Sequence, residues 1–136
     1  MQTLREPLPS PVYRVLVADD NHDLADTLGL LLGLAMDCEV EVVYDGQQAL
    51  DHALASRPDA AIFDLEMPKI DGLHAAHDVR RAFADNPPFM IAMSGNPDTL
   101  QRTGQTLTFD RAFCKPFDFE HLVAALQQRG APLQDH

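Results

Sequence analysis

Positive charge is scarce in this sequence. Lys and Arg total 10 against 21 Asp and Glu, for a formal net charge of −11. A sequence-independent hold on a phosphate backbone depends on clustered Lys and Arg, so nucleic acid is not an expected partner. Cysteine is equally sparse: Cys38 and Cys114 stand far apart without C-x-x-C or C-x-x-H spacing. Neither a disulfide framework nor a zinc site is suggested, and the plain reading is two free thiols in a reducing compartment. Long apolar runs are missing too. The longest uncharged helical stretch, TLGLLLGLAM, is too short to cross a bilayer, and the start MQTLREPLPSP holds no apolar segment of signal-peptide length. A soluble, cytoplasmic protein with no membrane partner is expected.

What is present suffices for one core. A chain of 136 residues with 46% hydrophobic content can bury a real interior without staples. Residues 1–11 carry Pro7, Pro9 and Pro11 with little to bury and read as an extended, mobile arm. Beyond Val12, apolar runs rich in Val, Ile and Phe alternate with segments of helical period, the pattern of βα units and a parallel sheet. The spacing predicts strands at 12–18, 39–44, 60–63, 89–93 and 111–114. Helices are predicted at about 22–35, from Asp45-Gly46 to Pro58, at 73–85, at 98–107 and from Phe119 onward. Asn21 is expected to cap the first helix, whose apolar face is taken as Leu24, Leu28, Leu31, Leu32 and Ala35. The second helix is expected to carry Ala49, Leu50, Ala53 and Leu54, and the third to bury Leu73, Ala76, Val79 and Phe83. The fourth is diluted by Gly104 and several threonines.

Short apolar strands joined by helices give an α/β, doubly wound, five-stranded parallel sheet, and such sheets bind ligands beyond the carboxyl ends of their strands. Strand one exits onto Asp19 and Asp20, strand three onto Asp64, strand four onto Ser94 and strand five onto Lys115. With the order 2-1-3-4-5, these groups surround one cleft. Three carboxylates a few ångström apart repel by ~4 kcal/mol per close pair at an effective dielectric near 20, which calls for a cation. All-oxygen ligands beside an open face suit Mg²⁺ with phosphate, Lys115 adds a second positive charge, and Ser94 offers a hydroxyl. A carboxylate nucleophile with these three describes phosphoryl transfer to aspartate. Taken singly, each residue has a plainer meaning: an Asp pair before a helix can be a cap, Lys115 a surface lysine, Ser94 the start of a turn, and His22 a solvated helix-start residue. Asp45 fits a helix cap, and Asp71-Gly72 reads as turn and capping chemistry outside the site.

The motifs VLVADDN, FDLEMPKIDG, AMSGN and CKPFDFEHLVAAL, in this order and at these spacings, resemble the receiver domain of two-component response regulators. The resemblance spans about 12–129, leaving 130–136 as a C-terminal tail, and implies a flavodoxin-like three-layer sandwich. It further implies that Asp64 accepts a phosphoryl group from a phosphohistidine on a sensor histidine kinase or a histidine phosphotransfer protein. Mg²⁺ would be bound by Asp20, Asp64 and the Glu66 backbone carbonyl, with Asp19 acting through water. Lys115 would pair with the phosphoryl oxygens, and Ser94 would move toward them, shifting the loop after the fourth strand. Pro116 stands where the family commonly has a cis bond. Two departures are visible: Ala112 where the family often has an aromatic switch residue, and Gly95 where alanine often follows the Ser or Thr. Transmission is therefore expected through Ser94 and the loop from Gly95 to Thr99, or through the fourth helix.

The leading expectation is a stand-alone receiver whose output is binding to a downstream protein, and which is no enzyme beyond assisting its own phosphorylation and dephosphorylation. The alternatives are a phosphorelay intermediate or the receiver part of a hybrid histidine kinase. A Mg²⁺-dependent phosphatase of haloacid-dehalogenase type is disfavoured, because that family places its aspartate nucleophile after the first strand with a second Asp two residues on, whereas Asp64 follows the third strand and is followed by Glu66.

Overall fold

Runs of β-branched and aromatic residues bounded by Asp, Pro and Gly become five parallel strands. The computed structural model describes residues 12–67, 72–104 and 107–132. The expected arm at 1–11, most of the expected tail and the Asp71 half of the Asp71-Gly72 pair fall outside the described residues. The chain runs β1 (Tyr13–Ala18), α1 (His22–Ala35), β2 (Cys38–Val43), α2 (Gly46–Ser56), β3 (Ala60–Asp64), α3 (Gly72–Ala82), β4 (Phe89–Ser94), α4 (Pro97–Thr103), β5 (Arg111–Cys114) and α5 (Phe119–Gln128). The sheet order is β2-β1-β3-β4-β5, as expected from the alternation of elements. β3 and β4 are buried along their whole length, as a doubly covered parallel sheet requires.

Two cores form, one on each face. Val15, Val17, Ile62, Ile91, Met93 and Phe113 pack with Leu28 and Leu32 of α1 and Leu122 and Leu126 of α5. Leu16, Ala18, Ala61, Phe63 and Met90 pack with Ala49 and Ala53 of α2 and Ala75, Ala76 and Val79 of α3. Helix starts follow local chemistry. The side chains of Asn21, Asp45, Asn96 and Asp118 each accept a backbone N–H of the first turn that would otherwise lack a partner. The expected roles of Asn21 and Asp45 hold, and Asp45 stays out of the acidic cluster.

The helix faces differ from expectation in instructive ways. α1 buries Ala25, Leu28, Gly29 and Leu32, while Leu24 and Leu31 are exposed. Leucine lies almost all round this helix, so its spacing does not select a face. Close approach does, because a Cβ on Gly29 would stand 2.7 Å from Val42 Cγ2. The small residues Ala25 and Gly29 let the helix sit down on the sheet beside Leu28 and Leu32 and leave Leu24, Leu30, Leu31 and Leu34 facing outward. In α2, Leu54 is likewise exposed. α3 buries Ala75 with Ala76 and Val79, leaves Leu73 half-buried and ends at Ala82 rather than 85. α4 stops at Thr103, short of the expected 107. Gly104 donates back to Leu100 O there, and Leu107 takes a left-handed φ of 59° that no helix continues.

Gly72 is a packing residue as well as a helix opener. A Cβ there would overlap the Asp64 carbonyl oxygen and reach 3.0 Å from Leu65 Cα, so α3 begins directly against the end of β3. Gly72→Ala should therefore destabilise by about 3 kcal/mol, the upper end for overpacking against backbone. Gly33→Ala, whose Cβ would meet nothing within 4 Å, should instead stabilise by up to about 1 kcal/mol through helix propensity. Urea unfolding midpoints of the two variants give the comparison, and equal midpoints would refute the close-approach explanation.

Candidate functional site

Strand register assembles the site. Ala18 lies opposite Phe63, which sets Asp19 beside Asp64 one step further on; Asp64 lies opposite Met93, and Ser94 opposite Cys114. Successive side chains of a strand alternate between faces. Val15 and Val17, Ala60 and Ile62, and Phe113 all face the α1/α5 core, and Asp19, Asp64 and Lys115 continue those three rows past the apolar stretch. One face of the sheet thus delivers two carboxylates and an ammonium to the same edge. A one-residue slip in any strand would send its member to the other side.

The contacts follow. Lys115 Nζ lies 3.0 Å from Asp19 Oδ2 and 3.3 Å from Asp64 Oδ2. Asp19 and Asp64 are buried, and Asp20 is exposed at the rim. One oxygen from each of Asp19, Asp20 and Asp64 falls within 4.8 Å of the others. Three hard oxygen donors with one exposed member fit a divalent cation that retains water, so the donor set suits Mg²⁺. The expected convergence of Asp19, Asp20, Asp64 and Lys115 is present.

Ser94 is fully buried at the end of β4, with its hydroxyl donating to Glu66 Oε1 at 2.7 Å and accepting from Asn96 N at 3.0 Å. Gly95 N donates to the same Glu66 oxygen at 3.2 Å. A Cβ at Gly95 would meet nothing within 4 Å, so that departure has no steric origin. The Lys115–Pro116 bond is cis. Ala112 sits on β5 level with Ala92, exposed and without a ring. His22 is exposed but not merely solvated: it stacks on Tyr44 with centroids 3.8 Å apart, and the Tyr44 hydroxyl donates to Asp26 Oδ1 at 2.6 Å. Two further contacts were not anticipated. Asn21 N donates to Asp19 Oδ1 and Glu66 N to Asp64 Oδ1, each at two residues' remove, so the carboxylates fix the loops that carry them. A groove of about 420 Å³ runs from Asp19 and Lys115 along the exposed Leu24 and Leu31 of α1 to Phe119.

The family model for the response regulator receiver domain matches residues 15–127. The chain belongs to the response regulator receiver family. It is similar to Response regulator MprA of Mycobacterium avium, 32% identical over 125 residues that cover 90% of this chain and 54% of that one. It is also similar to MprA of Mycobacterium tuberculosis, 31% identical over 114 residues, 84% of this chain and 49% of that one. This receiver thus spans about half the length of the curated relatives it matches. Among solved structures, the receiver domain of a response regulator from Bermanella marisrubri is 28% identical with a TM-score of 0.74, covering 87% of this chain and 98% of its own. Response regulator TrrA from Thermotoga maritima, solved in complex with Mg²⁺-BeF, is 24% identical with a TM-score of 0.77, covering 87% of this chain and 99% of its own, and supports the fold. The protein is a phosphoacceptor receiver in two-component signalling, and none of its described helices is long and apolar enough to cross a membrane.

The electrostatics of the receiver site are set by burial. Desolvation raises the Asp64 carboxyl to about 6, aided by the hydrogen bond and charge of Asp19 and opposed by the Glu66 N–H and by Lys115. Burial works against the Lys115 ammonium, but its hydrogen bonds and attraction to Asp19 and Asp64 outweigh that and raise it. An acid whose folded pKa exceeds its unfolded value is favourable below the unfolded value and costs stability once both states ionise. Without divalent cation, wild type should match Asp64→Asn near pH 4. As pH rises through about 6, wild type should fall behind by roughly 1–3 kcal/mol. Thermal unfolding of both proteins in chelator across that range checks the sign, and a wild type more stable than Asp64→Asn at pH 7 would contradict it.

Proposed function

We propose that Asp64 is the phosphoacceptor and that Lys115, Ser94 and the Gly95 N–H receive the phosphoryl oxygens. The observation that carries this is the Lys115 ammonium shared between Asp19 and Asp64 at the rim of a three-carboxylate cluster. A carboxylate oxygen of Asp64 attacks the phosphorus of a phosphohistidine, an O–P bond forms as the P–N bond breaks, and the imidazole leaves with the electron pair and takes up a proton. Lys115 offsets the charge on the phosphoryl oxygens in a site where water screens little. Asp20, Asp64 and the Glu66 backbone carbonyl, with Asp19 through water, would hold Mg²⁺, which when bound neutralises further charge on the transferring group. Hydrolysis of the acyl phosphate resets the site, so the protein assists its own phosphorylation and dephosphorylation without acting on a separate substrate.

The donor is a sensor histidine kinase or a histidine phosphotransfer protein, and the output a downstream protein bound by the 12–129 receiver unit in the cytoplasm. The net charge of −11 supports a protein partner over nucleic acid for this unit. A phosphorelay intermediate or the receiver part of a hybrid histidine kinase is the second reading, since either would use the same carboxylate cluster and lysine. The position of Asp64 at the end of the third strand, rather than the first, argues against the aspartate-nucleophile phosphatase.

Incubation with acetyl phosphate and Mg²⁺ should add one phosphate to the intact mass of wild type and none to Asp64→Asn. An unchanged wild-type mass, or an equal gain in the variant, sinks the assignment. Mg²⁺ should also raise the melting temperature by binding only the folded state, and Asp20→Asn should blunt that rise. If Asp20→Asn gains as much as wild type, Asp20 is not a ligand.

A further inference from the structure

The Glu66 side chain has no part in the chemistry described above, yet it makes the two contacts a phosphoryl oxygen on Asp64 would need. Its Oε1 accepts from Ser94 Oγ at 2.7 Å and from Gly95 N at 3.2 Å. We propose that the Glu66 carboxylate is a built-in stand-in for a phosphoryl oxygen: it occupies Ser94 and Gly95 while Asp64 is free and must give them up when Asp64 carries phosphate. This rests on the assignment of Asp64, Ser94 and Gly95 under the proposed function.

The hydrogen inventory makes the two states exclusive. A serine hydroxyl has a single O–H; the Asn96 carbonyl lies 3.4 Å from Ser94 Oγ and Glu66 Oε1 only 2.7 Å, so the shorter, charged acceptor takes it while Asn96 N donates to the Ser94 oxygen. Gly95 has one N–H, directed at the same Glu66 oxygen. Neither donor can serve the carboxylate and a phosphoryl oxygen at once. The release is cheap to accomplish mechanically, because Glu66 is exposed and its carboxylate can turn into water. It is not free energetically, since hydrogen bonds to a charged acceptor are the stronger class. Glu66 lies two residues beyond Asp64, with its N–H already bound to Asp64 Oδ1, so nucleophile and stand-in move as one short unit. Phosphorylation at this site then exchanges one anion for another on preset donors. Glu66 both holds Ser94 turned toward the site and competes with the ligand.

The test is beryllofluoride binding at saturating Mg²⁺, with amide exchange at Gly95 read in the same samples. Glu66→Ala keeps the backbone carbonyl and removes the competitor. It should bind beryllofluoride about tenfold tighter than wild type, the scale of one charged hydrogen bond less its exchange with water. Its Gly95 amide should exchange faster than wild type when unbound and equally when bound. Glu66→Gln, which retains an acceptor without the charge, should fall between. If Glu66→Ala binds no tighter, or if its unbound Gly95 exchange is unchanged, the stand-in is refuted and Glu66 is only a loop cap. A wild type that does not bind beryllofluoride overturns the Asp64 assignment itself, an outcome distinct from wild type binding with the variant indifferent.

Discussion

The Lys115 ammonium between Asp19 and Asp64 is the interaction on which this sheet edge depends. Both carboxylates are buried, and a buried charge without a partner is costly enough to change its protonation or the structure around it. The lysine arrives from the opposite end of the chain, 96 residues beyond Asp19, and on the edge strand. Its backbone N–H donates to Ser94 O, which fixes β5 to β4 at the level where the side chain must cross β4 to reach β3 and β1. Register and ion pair therefore specify one another. Only the observed pairing lets the three rows end together, and only the cation lets two of those rows end on a carboxylate.

The same edge explains the small residues nearby. β3 is AAIFD, and α3 contributes Gly72, Ala75 and Ala76 to its cover. Larger side chains would lift α3 from the sheet, and the overlap that a Cβ on Gly72 would make with the Asp64 carbonyl shows how little room is left. Packing on one face thus holds the backbone that aims a carboxylate at the other. Desolvation pushes the Asp64 carboxyl up, and the Glu66 N–H and Lys115 oppose it.

Much of this was legible in the sequence, and for identifiable reasons. β3 and β4 were readable as short apolar runs, and β2 by the alternation of Val40 and Val42 with Glu39 and Glu41. The strand-exit residues Asp19, Asp20, Asp64, Ser94 and Lys115 were readable because topology alone sends them to one edge. The face of α1 was not. Leucine at 24, 28, 30, 31, 32 and 34 satisfies several faces, and the choice was made by Gly29 against Val42 on a neighbouring strand. The end of α4 depended on where Gly104 and Leu107 turn the backbone. The Glu66 contact was hidden for a related reason: its partners lie 28 and 29 residues away, and an exposed acidic residue after a strand carries no local mark of what it will meet.

Ala112 constrains how a change at the site can leave it. With no ring at that position, a side chain swinging between exposed and buried states is not available on β5. Phe109 and Phe113 do not replace it: the first packs edge-on against Phe63, and the second is buried in the α1/α5 core. What remains is a continuous set of hydrogen bonds. Ser94 Oγ accepts from Asn96 N, and Asn96 in turn caps α4 through its side chain on Asp98 N. α4 is only seven residues long, too short to be stable without its cap and its packing. The Ser94 oxygen is thereby bonded to the residue that starts this helix. With no ring at Ala112, this cap is a direct hydrogen-bonded connection between the buried end of β4 and the start of α4, and it joins a fully buried hydroxyl to a helix that depends on its first turn.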